Sequence, residues 1–244
     1  MRTVTIDAAG LDHTALNREL RTLVAEGVTS IAVRRVLGQR YIAAGLPASV
    51  QLALHGVPGN DLGVFMDGPQ ITVHNNVQDM TGNTMSNGRI IVHGASGDLL
   101  GYAMRGGEIF VRDDVGYRVG VHMKAYQEFV PTLVVGGVGH DYLGEYLAGG
   151  VIIVLNRNRE KITAHHIGTG MHGGVIYLRG RVADWQLGRE VGVVPLDAAD
   201  RDRLHDAIAR FGANFTLPVR DITPGEFVKY APTSTRPYGS LYAY

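Results

Sequence analysis

The stretch from Leu54 to Leu178 repeats itself with a period of 19 residues, and no other feature narrows the possible folds as far. Gly63, Gly82, Gly101 and Gly120 keep that spacing, as do Met66, Met85, Met104 and Met123, and the strand-ending Val73, Val92 and Val111. The interval then widens to 24 for Gly144 and Gly168, with Leu147 and Met171 in the methionine slot and Gly149-Gly150 and Gly173-Gly174 in the glycine-pair slot. Strand ends at Val135, Val154 and Leu178 locate the extra residues in two insertions, Lys124 to Val130 and Asn156 to His166. A unit this short cannot hold a helical hairpin or a propeller blade. Each offers one strong strand and glycine-marked corners, which predicts one coil of a parallel β-helix per unit. A leucine-rich solenoid would want Leu and Asn at slots that here hold Gly, Met and Gly-Gly.

Coils of this kind stack about 4.8 Å apart, so equivalent residues form ladders. The methionine slot predicts an interior ladder, because an unbranched thioether adapts to an irregular stack. The glycine pairs suit sharp corners. Thr72, Ile91, Phe110, Val134, Ile153 and Tyr177 fall on the outward side of the strands, yet they are mostly apolar, so that face must be covered. The terminal helices can cover part of it, and a face so continuous also suits a partner subunit.

The flanks frame the repeat. Thr3 to Ile6 reads as a strand, Asp12 caps a helix running to about Glu26 and stopped by Gly27, and Thr29 to Val36 reads as a second strand. Residues 1–37 therefore form a small α/β cap, 38–180 the solenoid of about seven coils, and 181–244 a C-terminal helix with an extended tail. In that last part Asp197 caps a helix carrying Leu204, Ile208 and Phe211, with Gly212 as its expected end. The tyrosine-rich RPYGSLYAY from Arg236 is too apolar to hang free and is expected to lie on a surface.

Lys plus Arg and Asp plus Glu number 23 each, so a nucleic-acid partner, which calls for a basic excess, is not expected. Cysteine is absent, which excludes thiolate-ligated clusters, a catalytic thiol and disulfides on this chain. No run is long enough to span a bilayer, and the start, MRTVTIDAAG, has no apolar signal core; the expectation is a cytoplasmic protein without membrane contact.

Candidate sites divide by geometry. His55, His74 and His93 lie 19 apart with Arg112 next, a flat line that does not converge on a tetrahedral metal and whose mutual repulsion keeps the imidazoles neutral. His165, His166 and His172 cluster around the sixth coil with no Glu in a zinc-protease spacing and no evident nucleophile, which favours loop or interface roles over a free-standing enzyme. Asp79, Asp98 and Asp141 each precede a coil glycine by three residues and are expected to accept backbone N–H groups at corners. GVPGNDLG and GGVGHDYLG lack the Lys-Ser/Thr of a phosphate loop and match coil corners instead.

The segments GVPGNDLGVFMDG, QDMTGNTMSNGRIIVHG, GDLLGYAMRGGEIFV, VGYRVGVHMK, GHDYLGEYLAGGVIIVL and GTGMHGGVIYLRG, covering Gly38 to Gly180, resemble the GXGXG domain. This is the right-handed β-helix that ends the large subunit of glutamate synthase and also occurs as a separate subunit. The resemblance implies a non-catalytic scaffold in a hetero-oligomer. Its partners would be a glutamine amidotransferase-like subunit and an FMN-binding synthase-like subunit, with FMN and an iron-sulfur cluster carried by the partners and no cofactor on this chain. The product would be glutamate, or N-methylglutamate in the N-methylglutamate synthase variant. Similar coils in one component of formylmethanofuran dehydrogenase and of the formyltransferase/hydrolase complex give the alternative, a scaffold in a complex of that type. No catalytic, cofactor or metal residues transfer. The two insertions are the expected partner contacts, with Arg118, His122 and Lys124 near the first and His165, His166 and His172 near the second.

Overall fold

The structure, a computed structural model, describes residues 3–46 and 50–233. The expectation for RPYGSLYAY falls outside the described residues. β1 (Val4–Asp7) and β2 (Ser30–Leu37) run parallel and are joined through α1 (His13–Ala25). Asp12 caps α1 by accepting the Ala15 N–H at 2.7 Å, and Gly27 leaves it at φ +83°. Then come the coil strands β3 (Gln51–Val57), β4 (Asp67–Val73), β5 (Asn87–Val92), β6 (Glu108–Val111), β7 (Thr132–Val135), β8 (Ala148–Val154) and β9 (Gly173–Arg179), each parallel to the one before. The chain is a parallel β-helix of about seven coils. Strand register passes from Ile71 to Ile90, Ile109, Leu133, Ile152 and Ile176, so both insertions lie outside the ladder and leave its pairing intact.

Each coil has three sides. The strand is the first. The second is narrower, marked by the parallel bridges Val77–Ser96–Val115. The third is a turn in which alternate residues are left-handed, as at Met80 (φ +60°), Gly82 (φ +73°) and Thr84 (φ +50°). The alternation sends backbone donors both ways along the axis. Met80 and Thr84 donate forward to Asp98 and Tyr102 carbonyls, whereas Gly82 donates back to Leu62. A left-handed non-glycine residue costs roughly 1–2 kcal/mol, and these bonds offset it. The methionine ladder is interior as expected: Met66, Met85, Met104, Met123, Leu147 and Met171 are all buried. Asp79, Asp98 and Asp141 accept the N–H of Asp98, Tyr117 and His165 in the next coil at 2.8–2.9 Å.

The coil glycine owes its identity to the interior. A Cβ on Gly82 would stand 2.3 Å from Ile109 Cδ1, the strand residue of the following coil, and Gly120 has the same relation to Ile152 at 2.5 Å. Glycine leaves the volume that the next coil's branched side chain fills.

Both ends are closed by the chain itself. α1 buries Leu16 and Leu20 in the same core that runs through the coils. At the far end the edge of β9 is covered by β11 (Phe227–Pro232), antiparallel to it, and β11 is in turn paired with β10 (Val191–Val194). The composition of this region signals only extended chain; its pairing depends on a partner strand about fifty residues away.

α2 (Ala198–Phe215) corrects one expectation and meets another. Gly212 does not end it. The helix continues to Phe215 and ends at Thr216 in the left-handed region, and Gly212 serves packing instead, since a Cβ there would lie 2.7 Å from Val219 Cγ2 of the returning chain. The apolar outer ladder is covered from Ile91 to Tyr177 by a terminal helix, one of the two covers expected for it: Leu204, Ala207, Ile208, Phe211 and Phe215 of α2 pack on Ile91, Phe110, Val134, Ile153 and Tyr177. Buried polar groups fix the helix in place: Asp200 accepts the Tyr177 hydroxyl and the Lys229 ammonium, the latter at 2.7 Å, while Arg203 donates to the Tyr177 oxygen at 2.9 Å. Burial alone would raise the Asp200 carboxyl. Lys229, Tyr177 and the Asp197 N–H outweigh it and hold the group down to about 2.

This packing sets two expected outcomes. Gly82→Ala, which must push Ile109 aside in an unfavourable φ, is expected to cost about 3 kcal/mol in denaturant unfolding, whereas Gly27→Ala, with nothing within 4 Å, costs only the backbone term. The depressed Asp200 carboxyl adds stability that is complete above about pH 4 and disappears as pH falls through about 2, roughly 2 kcal/mol in all. Glu226, also held down to about 2 against burial by the Thr223 N–H and Arg179, acts in the same window. Asp200→Asn is therefore expected to lower stability at pH 7 and to flatten, without abolishing, the acid limb of an unfolding titration.

Candidate functional site: the turn side of the coils

The left-handed slots of the turn carry outward side chains in two columns. One reads Asp61, Met80, Leu99, Arg118, Tyr142, His166; the other reads Phe65, Thr84, Ala103, His122, Tyr146, Gly170. From the fourth coil onward rings collect in both, His122 and Tyr146 in the second column and Tyr142 and His166 in the first. The Arg118 guanidinium lies 4.3 Å from the Tyr142 ring centre, and the Tyr142 ring stacks on His166 of the next coil at 4.7 Å. In the second column His122 stacks on Tyr146 at 5.1 Å. Tyr146 in turn lies over the bare Gly170, where a Cβ would meet its ring at 2.5 Å. The columns are tied together by an ion pair from Arg118 to Glu145, whose side chain is only 9 % exposed. Main-chain bonds repeat the pattern of the earlier coils: Arg118 and Tyr142 N–H donate to Asp141 and His165 carbonyls, His122 and Tyr146 N–H to Glu145 and Thr169.

The six residues singled out from sequence do not form one cluster. Arg118, His122 and His166 are brought together on the two columns. His165 diverges from its neighbour, with ring planes at 83°, and packs instead against Trp185 at 5.1 Å. Lys124 and His172 sit one slot beyond the methionine ladder, where Arg105, Lys124 and His172 all donate backbone N–H to the methionine or leucine carbonyl of the coil before. Lys124 there lines a groove of about 410 Å³ with Asp67, Ser86 and Arg105, walled by Tyr126 and Phe129 of the first insertion. That insertion projects as expected, its tip closed by the Tyr126–Phe129 bridge and exposing both rings and Val130.

The second insertion behaves differently, because much of it is bound to its own chain. The buried Asn156 side chain bonds to Glu160 and Arg179, Arg159 pairs with Glu226, and Gln186 donates to the carbonyls of Ile162 and Ala164. Its end at His165–His166 remains on the open face. Sequence reasoning missed Tyr142, Tyr146 and Trp185. The signal for the tyrosines was present, since each lies 24 residues after a candidate already chosen, Arg118 or His122.

His55, His74 and His93 do stack, at 4.6 and 5.2 Å, and the column continues to Phe215 of α2. His55 and His93 are both lowered from the ordinary imidazole value, first by burial and then by His74, with Arg34 and Arg112 adding to it. Burial outranks the repulsion expected from sequence. Among the described residues no group of three His, Cys, Asp or Glu is placed to hold a metal, and no helix is long and apolar enough to cross a membrane.

Comparison with known proteins matches residues 13–222 to a family model described as the GXGXG motif. A protein of Methanocaldococcus jannaschii, described as uncharacterized, is 45 % identical over 253 residues, spanning 99 % of this chain and 97 % of the relative. Coil glycines, interior methionines and the family match agree, and the chain belongs to the GXGXG-motif family.

Proposed function

We propose that this chain is a non-catalytic scaffold subunit of a glutamate-synthase-type complex. It braces a glutamine amidotransferase subunit against an FMN and iron-sulfur synthase subunit, in the cytoplasm, while those partners carry out ammonia or methylamine transfer to make glutamate or N-methylglutamate. Membership of a family linked to glutamate synthase supports the class of complex. The observation that carries the scaffold role is the asymmetry of the coil surface. The strand side is covered by α2 from Ile91 to Tyr177, whereas the turn side leaves Phe65 and Tyr146 61 and 47 % exposed. About seven coils at about 4.8 Å give a body of roughly 30 Å along its axis. Every coil is hydrogen-bonded to the next, which suits a spacer that holds two enzymes at a fixed separation. The projecting first insertion, with Tyr126 and Phe129 at its tip, supplies a contact outside the regular ladder.

Affinity purification of the full-length chain from its own cells, with mass spectrometry and an absorption spectrum, tests the reading. Amidotransferase and flavin/iron-sulfur subunits are expected in a yellow-brown eluate. Tyr126→Ala combined with Phe129→Ala is expected to reduce their recovery several-fold without changing the fold, because both rings are exposed. A colourless eluate holding the chain alone would refute the scaffold role, and molybdenum or tungsten partners would reassign it to a formylmethanofuran-type complex.

A further inference from the structure

The groove beside the first insertion runs along one edge of the coils. Asp67 opens β4, Ser86 precedes β5, Arg105 lies just ahead of β6, and Lys124 begins the insertion that leads into β7, so the four are successive rungs at the strand starts. Tyr126 and Phe129 form its wall. Phe129 leans over a bare glycine, since a Cβ on Gly106 would meet Phe129 Cβ at 3.5 Å, and both rings remain exposed. The last described stretch of the chain arrives at this same edge. β11 runs antiparallel to β9, with Tyr230 opposite Ile176, so it leaves the sheet where the coil strands begin. Thr233 is held there by donating its N–H to the Glu190 carbonyl at 2.7 Å.

We propose that the chain's own tail, Ser234 to Tyr244, docks in this groove. Position and reach select that occupant. The sheet order β4-β5-β6-β7-β8-β9-β11 sets the Lys124 rung three strand spacings and the Asp67 rung six from Thr233, roughly 14 and 29 Å at about 4.8 Å each. Eleven residues follow Thr233, enough for roughly 36 Å of extended chain at about 3.3 Å per residue. On the way, Ala148 and Gly173 at the starts of β8 and β9 carry little bulk to block the path. An extended tail brings Tyr238 level with Lys124, Ser240 with Ser86 and Tyr242 with Asp67. Side chains alternate in such a chain, so Tyr238, Ser240, Tyr242 and Tyr244 share one face. The groove has the chemistry to receive them. Arg105 and Lys124 suit the negative faces of tyrosine rings, Tyr126 and Phe129 offer ring contacts, and Asp67 and Ser86 can accept phenol hydroxyls. The inference is independent of which complex the chain serves.

The chain has no cysteine, so an engineered pair reports without background. Ser86→Cys with Ser240→Cys, in the full chain at high dilution with oxidised glutathione, is expected to close an intramolecular disulfide, read as a mobility shift on a non-reducing gel. Docking raises the effective concentration of the two thiols, so closure is expected about tenfold faster than for Ser240→Cys paired with Asp202→Cys, a position on the exposed face of α2. Chymotrypsin supplies a second measurement, which carries the test if the cysteine pair fails to fold. It is expected to cut after Tyr238 and Tyr242 about tenfold more slowly in the unaltered chain than in Phe129→Ser, whose groove has lost a wall. Closure no faster than in the control pair, or equal cleavage of the unaltered chain and Phe129→Ser, would overturn the proposal. A disulfide that links two chains instead of closing within one would overturn docking on the same chain in favour of a tail exchanged between copies.

Discussion

Everything in this protein depends on main-chain hydrogen bonds that run from coil to coil. They are made on the strand side by parallel pairing and on the turn side by residues that donate alternately forward and back. Because the bonds fix neighbouring coils about 4.8 Å apart, every side chain has an equivalent directly above and below it, and each slot must accept what its neighbours impose. Inside, this selects glycine where the next coil's isoleucine or leucine intrudes, as at Gly82 and Gly101. It also selects methionine where a flexible side chain can fill an uneven shaft. Outside, it turns single residues into columns.

The three sides of the coil then meet different fates for reasons of chemistry. The strand side is apolar enough that water must be excluded, and α2 supplies the cover, anchored by the Asp200–Lys229–Tyr177 network at its first turn. On the narrow side, Asp79 and Asp98 consume the N–H groups that a corner would leave unpaired. The turn side has no such cover among the described residues. Its left-handed residues push side chains outward, and that is where stacked aromatic and imidazole rings collect.

Sequence made the coil legible because the constraint is periodic. Gly63 to Gly168, the methionine ladder and Asp79, Asp98 and Asp141 before three of the glycines could be placed from spacing alone, and the coil geometry follows from them. Features without a periodic signature were not legible. Gly212 looks like a helix stop, and only the returning Val219 shows that its missing Cβ makes room for packing within a helix that runs on to Phe215. The outer ladder announced that it was covered, but whether by α2 or by another protein depends on where an 18-residue helix docks, which no local pattern specifies. On the turn side, the histidines stand out by their catalytic chemistry and Tyr142 and Tyr146 do not. Their position 24 residues after Arg118 and His122 nevertheless carried the information.

The tyrosines also show what the ladder does with charge. In an isolated loop, an arginine beside a glutamate is worth little, because water screens the pair. Here Arg118 is held against Tyr142 on one side and bound to the buried Glu145 on the other, while the coils above and below prevent both partners from drifting apart. The same stacking that orders the core therefore orders the surface, with no further loss of chain freedom. Side chains that would be mobile on an ordinary loop become a fixed row with defined spacing and with their ring edges turned outward. A surface so preordered loses little entropy when another protein settles on it. This gives a solenoid an advantage as a brace that needs no catalytic group of its own.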